Sequence, residues 1–341
     1  MDLLPTEEQD EIIGTVRSQL DRSFDLHALA KLDGADSVVD SALWTQCAEL
    51  GWFGLGLPEA LGGVGYTLAE EALLFAEIGT HATPGPFLAT VLAGRLAAMV
   101  GATELAQQIL DGTQLVALAE PHGDGDATAG ATVSGTFRVT DFGGADLVLV
   151  LVGTSASIVA AADLVAEPMA SLDRLVPTAI GTVSEVQALC YQDDASGLVL
   201  RATVLVAAEL AGIATATAEQ STQYAKDREQ FGTPIGSFQA VKHRCADMAV
   251  RADAATSLVR YAALAVLDGL PDAAFHAHAA RVVASKAAVE NSQINVQNHG
   301  GIGFTYEHTA HRFVTRAQVR SRTIGDLRSH LGGLLEQPAA L

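Results

Sequence analysis

The basic residues of this 341-residue chain are unevenly placed, and that is where a reading of its chemistry can start. Fourteen of its 20 lysines and arginines follow residue 195, from Arg201 through Lys226, Arg228 and Arg281 to Arg328. If an anionic ligand such as a pyrophosphate binds, this part is expected to hold it. The competing reading is that long helices carry cations on their solvated faces. A glycine-rich stretch in the same region, Gly300-Gly301-Ile302-Gly303, would let backbone amides approach a phosphate at low steric cost, although taken alone it is a weak sign. Other chemistries find less support. His276 and His278 are two apart, which points them in different directions on a helix, and the ten histidines show no metal-ligand spacing. Serine, histidine and aspartate all occur without a nucleophile-elbow signature. Cys47, Cys190 and Cys245 are odd in number and far apart, so they read as buried, reduced thiols.

The elements that must position these groups follow from composition and pattern. Hydrophobic residues make up 49% of the chain and charged residues 18%, enough to bury a large core. The net charge of −20 leaves no overall basic footprint for nucleic acid. The N-terminus, MDLLPTEEQDE, is acidic where a signal peptide needs positive charge. The most apolar stretch, Leu147 to Ala162, is broken by Gly153, Thr154, Ser155 and Ser157, so no membrane span is expected and the protein reads as cytoplasmic. Residues 1–115 read as helical, with Thr6 before Glu7 and Glu8 as a helix start, Trp44, Cys47, Ala48 and Leu50 as an apolar face, and Leu68 to Ile78 as a further helix capped by Gly79. Residues 116–195 switch to short Val- and Leu-rich runs, Leu115–Leu118, Phe137–Thr140, Leu147–Val152 and Ile158–Val159, which predict a small β-domain. Residues 196–341 return to long helices. Val241, Cys245, Met248, Ala252, Ala255, Val259, Ala262 and Val266 form a stripe that needs partners, and Thr203–Arg228 and Asp272–Gln297 can supply them in a four-helix-bundle-like domain. The expected class is α+β, mostly α.

Four segments of this pattern resemble the acyl-CoA dehydrogenase flavoprotein family. Leu57-Pro58-Glu59-Ala60-Leu61-Gly62-Gly63-Val64-Gly65 is similar to a family turn between early helices. Glu120-Pro121 is similar to the loop that enters the flavin site, with Ala119 in place of the usual threonine and a shortened Gly- and Asp-rich continuation. The most specific segment runs from Tyr224 to Gln239 and carries Arg228, Gln230, Phe231 and Gly232 in the family's Tyr-x-x-x-Arg-x-x-Phe-Gly signature. A guanidinium there can meet a pyrophosphate through paired charge-assisted hydrogen bonds, and Phe231 offers an apolar ring beside a heterocycle. The fourth, Gln297-Asn298-His299-Gly300-Gly301-Ile302-Gly303, lies about 70 residues further on. The resemblance implies FAD as cofactor, with Arg228, Gln230, Phe231, Gln297, Gly300 and Gly301 around its adenine and pyrophosphate and Thr140 at the flavin. It also implies that this half-site serves a flavin held mainly by a neighbouring subunit.

The family's reaction removes the α-proton of an acyl-CoA thioester with a carboxylate while the β-hydrogen leaves as hydride. Its usual glutamate falls 23 residues beyond the second glycine of the pair, which here is Ile324, followed by Gly325. The position used by a smaller branch of the family falls at about Ala202, between Arg201 and Thr203, where no acid stands. Asp326 and Glu209 remain as substitutes if local geometry differs. The resemblance therefore implies an acyl-CoA dehydrogenase subunit without its own base. Its expected partners are an acyl-CoA substrate, possibly a steroid side-chain thioester, a homologous subunit in a heterotetramer, and an electron-accepting flavoprotein. A self-sufficient dehydrogenase with a displaced base, a flavin monooxygenase of the same fold and a non-enzymatic assembly subunit stay open as alternatives.

Overall fold

A computed structural model of the chain describes residues 3–24, 38–123 and 125–337. Met1 and Asp2 of the acidic N-terminus and Asp124 of the Gly- and Asp-rich loop lie outside the described residues. In chain order the helices are α1 (Glu7–Ser23), α2 (Ser41–Glu49), α3 (Leu68–Thr80), α4 (Phe87–Met99), α5 (Thr103–Leu110), α6 (Ser196–Asp227), α7 (Gln239–Leu267), α8 (Ala273–His299), α9 (Ala310–Arg320) and α10 (Leu327–Glu336). The strands are β1 (Val116–Pro121), β2 (Thr132–Thr140), β3 (Leu147–Val152), β4 (Ser155–Ala160), β5 (Val165–Met169), β6 (Thr178–Gln187), β7 (Cys190–Gln192), β8 (Glu229–Gln230) and β9 (Thr233–Pro234). The class is the expected one, mostly helical around a middle set of strands. By internal contacts the chain forms two units that alternate along the sequence. One comprises Met1–Ala30, Leu68–Thr83 and Thr203–Leu341, and the other Lys31–Thr67 and Pro84–Ala202.

The first unit is helical. Thr6 starts α1 through a complete capping box, in which its hydroxyl accepts from the Gln9 amide while the Gln9 side chain accepts from the Thr6 amide. Thr6→Ala is expected to cost about 1 kcal/mol of stability. A lowered midpoint in urea titration checks this, and an unchanged midpoint contradicts it. The apolar stripe of α7 buries Met248, Ala252, Ala255, Val259 and Ala262. Asn291 of α8 ties the bundle together, its amide donating to Ala214 O of α6 at 3.1 Å and Met248 O of α7 at 2.9 Å. Gly79 does not cap α3 as expected. The helix runs on to Thr80, and Gly79 is a point of close approach, because a Cβ there would sit 1.9 Å from the Glu209 carbonyl oxygen of α6. Gly212 returns the contact, since its Cβ would lie 1.9 Å from Ala76 O. The two helices therefore meet backbone to backbone, which only glycine allows. By length and composition α6 is apolar enough to cross a membrane, but 83% of its apolar window is buried inside the protein, as in a core helix.

The second unit is built on a seven-stranded sheet of order β5-β6-β2-β1-β3-β4-β7. The β1 and β3 strands run parallel, and every other neighbouring pair is antiparallel. Ala117, Ala119, Phe137, Val139, Val148 and Val150 pack one apolar cluster on it. The four expected runs became β1 to β4, while β5, β6 and β7 were not foreseen. Exposed β5 is an edge strand carrying Glu167 and Pro168, and β6 mixes Thr, Gly and Ser, so neither shows an apolar run. In the same unit Trp44 packs against Phe53 and Phe87, with ring centroids 4.4 and 4.9 Å away. Burial raises the Cys47 thiol to about 12 and the Cys190 thiol to about 11, so both stay protonated and inert. Cys245 differs from the expectation in being half-buried.

Candidate functional site

The Arg228 turn is a tight hairpin. Helix α6 ends at Asp227, and β8 and β9 then pair as Glu229 with Pro234 and Gln230 with Thr233. The two residues between them, Phe231 at φ 54° and Gly232 at φ 80°, both take the left-handed conformation that a two-residue hairpin requires. This geometry pushes the Phe231 ring outward until it is 93% exposed, edge-on to Phe238 at 6.2 Å. Arg228 is also exposed, and its guanidinium has no partner among the described residues. Gln230 turns its amide back onto Glu229 O at 2.8 Å. An exposed aromatic ring and an unengaged guanidinium on one rigid turn suit a ligand combining an apolar ring with an anion.

The glycine segment is joined to the same helix end. Helix α8 stops at His299 because Gly300 takes φ 64° and ψ −140°, which an L side chain resists. Asn298 donates to Ser221 Oγ of α6 at 2.6 Å, and the His299 ring stacks on Tyr224 at 4.2 Å. His299 donates from Nδ1 to Asn295 O at 2.8 Å, and burial lowers its pKa below the ordinary histidine value. Two sequence segments some 70 residues apart thus belong to one construction. Gln297 is exposed, and a Cβ built at Gly300 or Gly301 would meet nothing within 4 Å, so these amides border open space.

In the second unit, Thr140 is 3% exposed, and its hydroxyl donates to Leu118 O at a long 3.5 Å. Phe137, the aromatic of that strand, is fully buried in the sheet core. Its neighbour Arg138 lies opposite Glu120 across the β1–β2 pair and bonds to it at 2.9 Å. Glu120 of the loop motif is therefore engaged by a cation that the sequence reading had not connected to it.

The four candidate base positions are placed as follows. Ile324 is 7% exposed, with φ 55°, and Gly325 continues in the left-handed region at 83°. Asp326 is exposed and caps α10, its carboxylate accepting from the Ser329 amide and the Ser329 hydroxyl, both at 2.8 Å. Those hydrogen bonds, that from the backbone amide foremost, lower its pKa below the usual carboxylate range, the opposite of what a general base for a weak carbon acid needs. Glu209 is 1% exposed and held by Arg320 Nε at 2.9 Å, with Arg316 at 3.9 Å. Ala202 is fully buried. No group of three or more metal-ligating side chains occurs among the described residues. A cleft of about 660 Å³ lined by α1, α3, α6 and α7, among them Ala72, Ala76, Gly212 and Val259, contains none of the candidate cofactor or base residues.

With this geometry in view, the chain can be set beside known proteins. Residues 199–328 match the model of the acyl-CoA dehydrogenase C-terminal domain and residues 6–114 that of the N-terminal domain. The acyl-CoA dehydrogenase IpdE2 of Mycobacterium tuberculosis is 33% identical over 330 residues, 96% of each chain. The acyl-CoA dehydrogenase FadE34 of the same organism is 37% identical over 285 residues, covering 79% of this chain and 38% of that protein. Among solved structures, a steroid ACAD variant named Tcur3481-Tcur3483 superposes with a TM-score of 0.85 at 27% identity over 97% of both chains. The ChsE4-ChsE5 complex from Mycobacterium tuberculosis shares the fold, with a TM-score of 0.89 at 24% identity over 99% of this chain and 100% of that one. The chain belongs to the acyl-CoA dehydrogenase family.

Proposed function

We propose that this chain is the subunit without a base in a two-component, FAD-dependent acyl-CoA dehydrogenase. The observation that carries the reading is Ile324, an apolar residue at the turn where the family usually places its glutamate, with both candidate substitutes engaged elsewhere. Asp326 is committed to capping α10, and Glu209 to a buried ion pair. The names of two similar structures support the quaternary part, since each names two proteins together. The word steroid in one of those names makes steroid-type acyl thioesters the first substrates to try.

The residues of the Arg228 turn and the glycine segment fit FAD. The guanidinium is free to take a pyrophosphate, the Phe231 ring is exposed for a heterocycle, and open space lies over Gly300 and Gly301. Bound there, FAD supplies the acceptor for the β-hydrogen, which leaves the substrate as hydride. The chain's own part is to hold the adenine and pyrophosphate end and to pack against a homologous subunit whose glutamate takes the α-proton. An electron-accepting flavoprotein would be the further partner. Losing a charge-assisted hydrogen bond costs about 1.5–3 kcal/mol, so Arg228→Ala is expected to weaken FAD retention about tenfold or more. Flavin absorbance of the assembled oligomer after gel filtration reads this. Unchanged flavin content would remove Arg228 from the site.

A further inference from the structure

Ile324 is β-branched and sits at φ 55°, a conformation that an L residue resists and that persists when its surroundings impose it. Two side chains from elsewhere in the first unit do this by taking the carbonyls of the α9–α10 turn one after another. Arg281 of α8 donates to Arg320 O and Thr323 O, both at 2.8 Å, and to Gly325 O at 3.4 Å. His330 of α10 bonds from Nε2 to Ile324 O at 2.9 Å, and its Nδ1 lies 2.9 Å from Nδ1 of His278 on α8. A carbonyl oxygen can only accept, so Nε2 of His330 carries a proton, and in the neutral ring its Nδ1 carries a lone pair. The His278 contact is then a hydrogen bond donated by His278 to His330. A second proton on His330 would leave its bond to Ile324 O in place and put a positive charge, beside Arg281, on a ring that is only 4% exposed while the turn is closed. The pair is also shaped from the α10 side, since a Cβ at Gly333 would lie 2.6 Å from Nε2 of His278.

We propose that His330 is a positioning residue, which in its neutral form, backed by His278 and beside Arg281, holds the strained Ile324–Gly325 turn and releases it on protonation. That the turn stands at the family's base position rests on the proposed function, whereas the hydrogen-bond chain does not. The charged groups facing the pair are Arg281 on α8, which opposes protonation of His330, Asp326 at the start of α10, which favours it, and Glu336 near the end of α10, which favours protonation of His278. Burial is the largest influence on both rings, holding His278 below the ordinary histidine value and His330 down to about 4. A histidine whose folded pKa is depressed contributes stability that is complete above its unfolded value of about 6.5 and is lost as pH falls toward the folded value. The clamp is therefore closed at neutral pH and opens between about pH 6.5 and 4.

Hydrogen exchange by mass spectrometry on the full-length chain, corrected for intrinsic rates, tests this in the peptide spanning Thr323–Leu327. Wild-type protection is expected to stay level from pH 8 to 7 and to fall at lower pH, by up to about tenfold per pH unit per proton. H330Q, whose amide can donate to Ile324 O without titrating, is expected to keep the protection and flatten its pH dependence. H330A is expected to lose protection of this peptide at every pH while the α7 peptides stay protected. Should H330A fail to fold, H330Q decides the matter by itself. The same pH dependence in H330Q and wild type, or full protection in a folded H330A, overturns the proposal. The measurement needs neither flavin nor a second subunit, so a chain that proves active alone would leave the clamp standing, and a failed clamp would leave the partner reading untouched.

Discussion

Glu209→Ala is expected to destabilise the chain by about 3–5 kcal/mol. Glu209 is 1% exposed and bonds Arg320 Nε at 2.9 Å, while Arg320 and Arg316 are themselves 3% and 0% exposed. Removing the carboxylate takes a negative charge away from two buried guanidinium groups, where water cannot enter freely to replace it. Domains of ordinary stability hold about 5–15 kcal/mol, so the variant sits near the limit of folding. Urea titration of the purified chain measures the loss. Glu209→Gln keeps a hydrogen-bond acceptor and should fall between wild type and Glu209→Ala. Arg320→Met added to Glu209→Ala should recover part of the loss, because an apolar chain replaces a buried charge. A loss below about 1 kcal/mol, the scale of a surface pair, would show that the pair is not the buried anchor described above. Glu209 would then return as a candidate base.

The second large effect is on turnover. General-base catalysis contributes about 10²–10⁴-fold, so the chain alone should dehydrogenate acyl-CoA thioesters slower by that factor than the same chain with a homologue that keeps its glutamate. The comparison calls for steady-state assays with an artificial electron acceptor over short, long and steroid-type acyl thioesters. Robust turnover by the isolated chain would remove the partner-subunit reading.

Much of this architecture is legible in the sequence because it depends on local pattern. The α7 stripe from Met248 to Ala262, the Thr6 cap and the runs at Leu147 and Phe137 each report on neighbours a few residues away. The Arg228 turn is legible for a similar reason. Phe231 and Gly232 occupy the two left-handed positions of a hairpin, and their motif occupies consecutive residues. What the sequence hid joins residues far apart. Nothing around Arg281 or His278 announces that they meet a turn some 40 to 50 positions later. His278 stood out only as half of a His-x-His pair, although its partner is His330. The left-handed backbone at Ile324 is likewise illegible, since a β-branched residue is the last that local propensity would put there. Strands β5 and β6 escaped because their exposed faces carry Glu, Thr and Ser, which break the apolar runs that marked the inner strands.

The central claim is that this chain brings a flavin half-site and no base to the reaction. Rapid-mixing anaerobic flavin bleaching of the assembled two-subunit enzyme by acyl-CoA tests it most directly, with the carboxylates changed one at a time. Asp326→Asn keeps a good helix cap and is expected to leave the bleaching rate unchanged, whereas changing the catalytic glutamate of the homologous subunit to glutamine is expected to abolish bleaching. Loss of bleaching in Asp326→Asn, with bleaching retained when the other subunit's glutamate is changed, would contradict the claim and place the base on this chain.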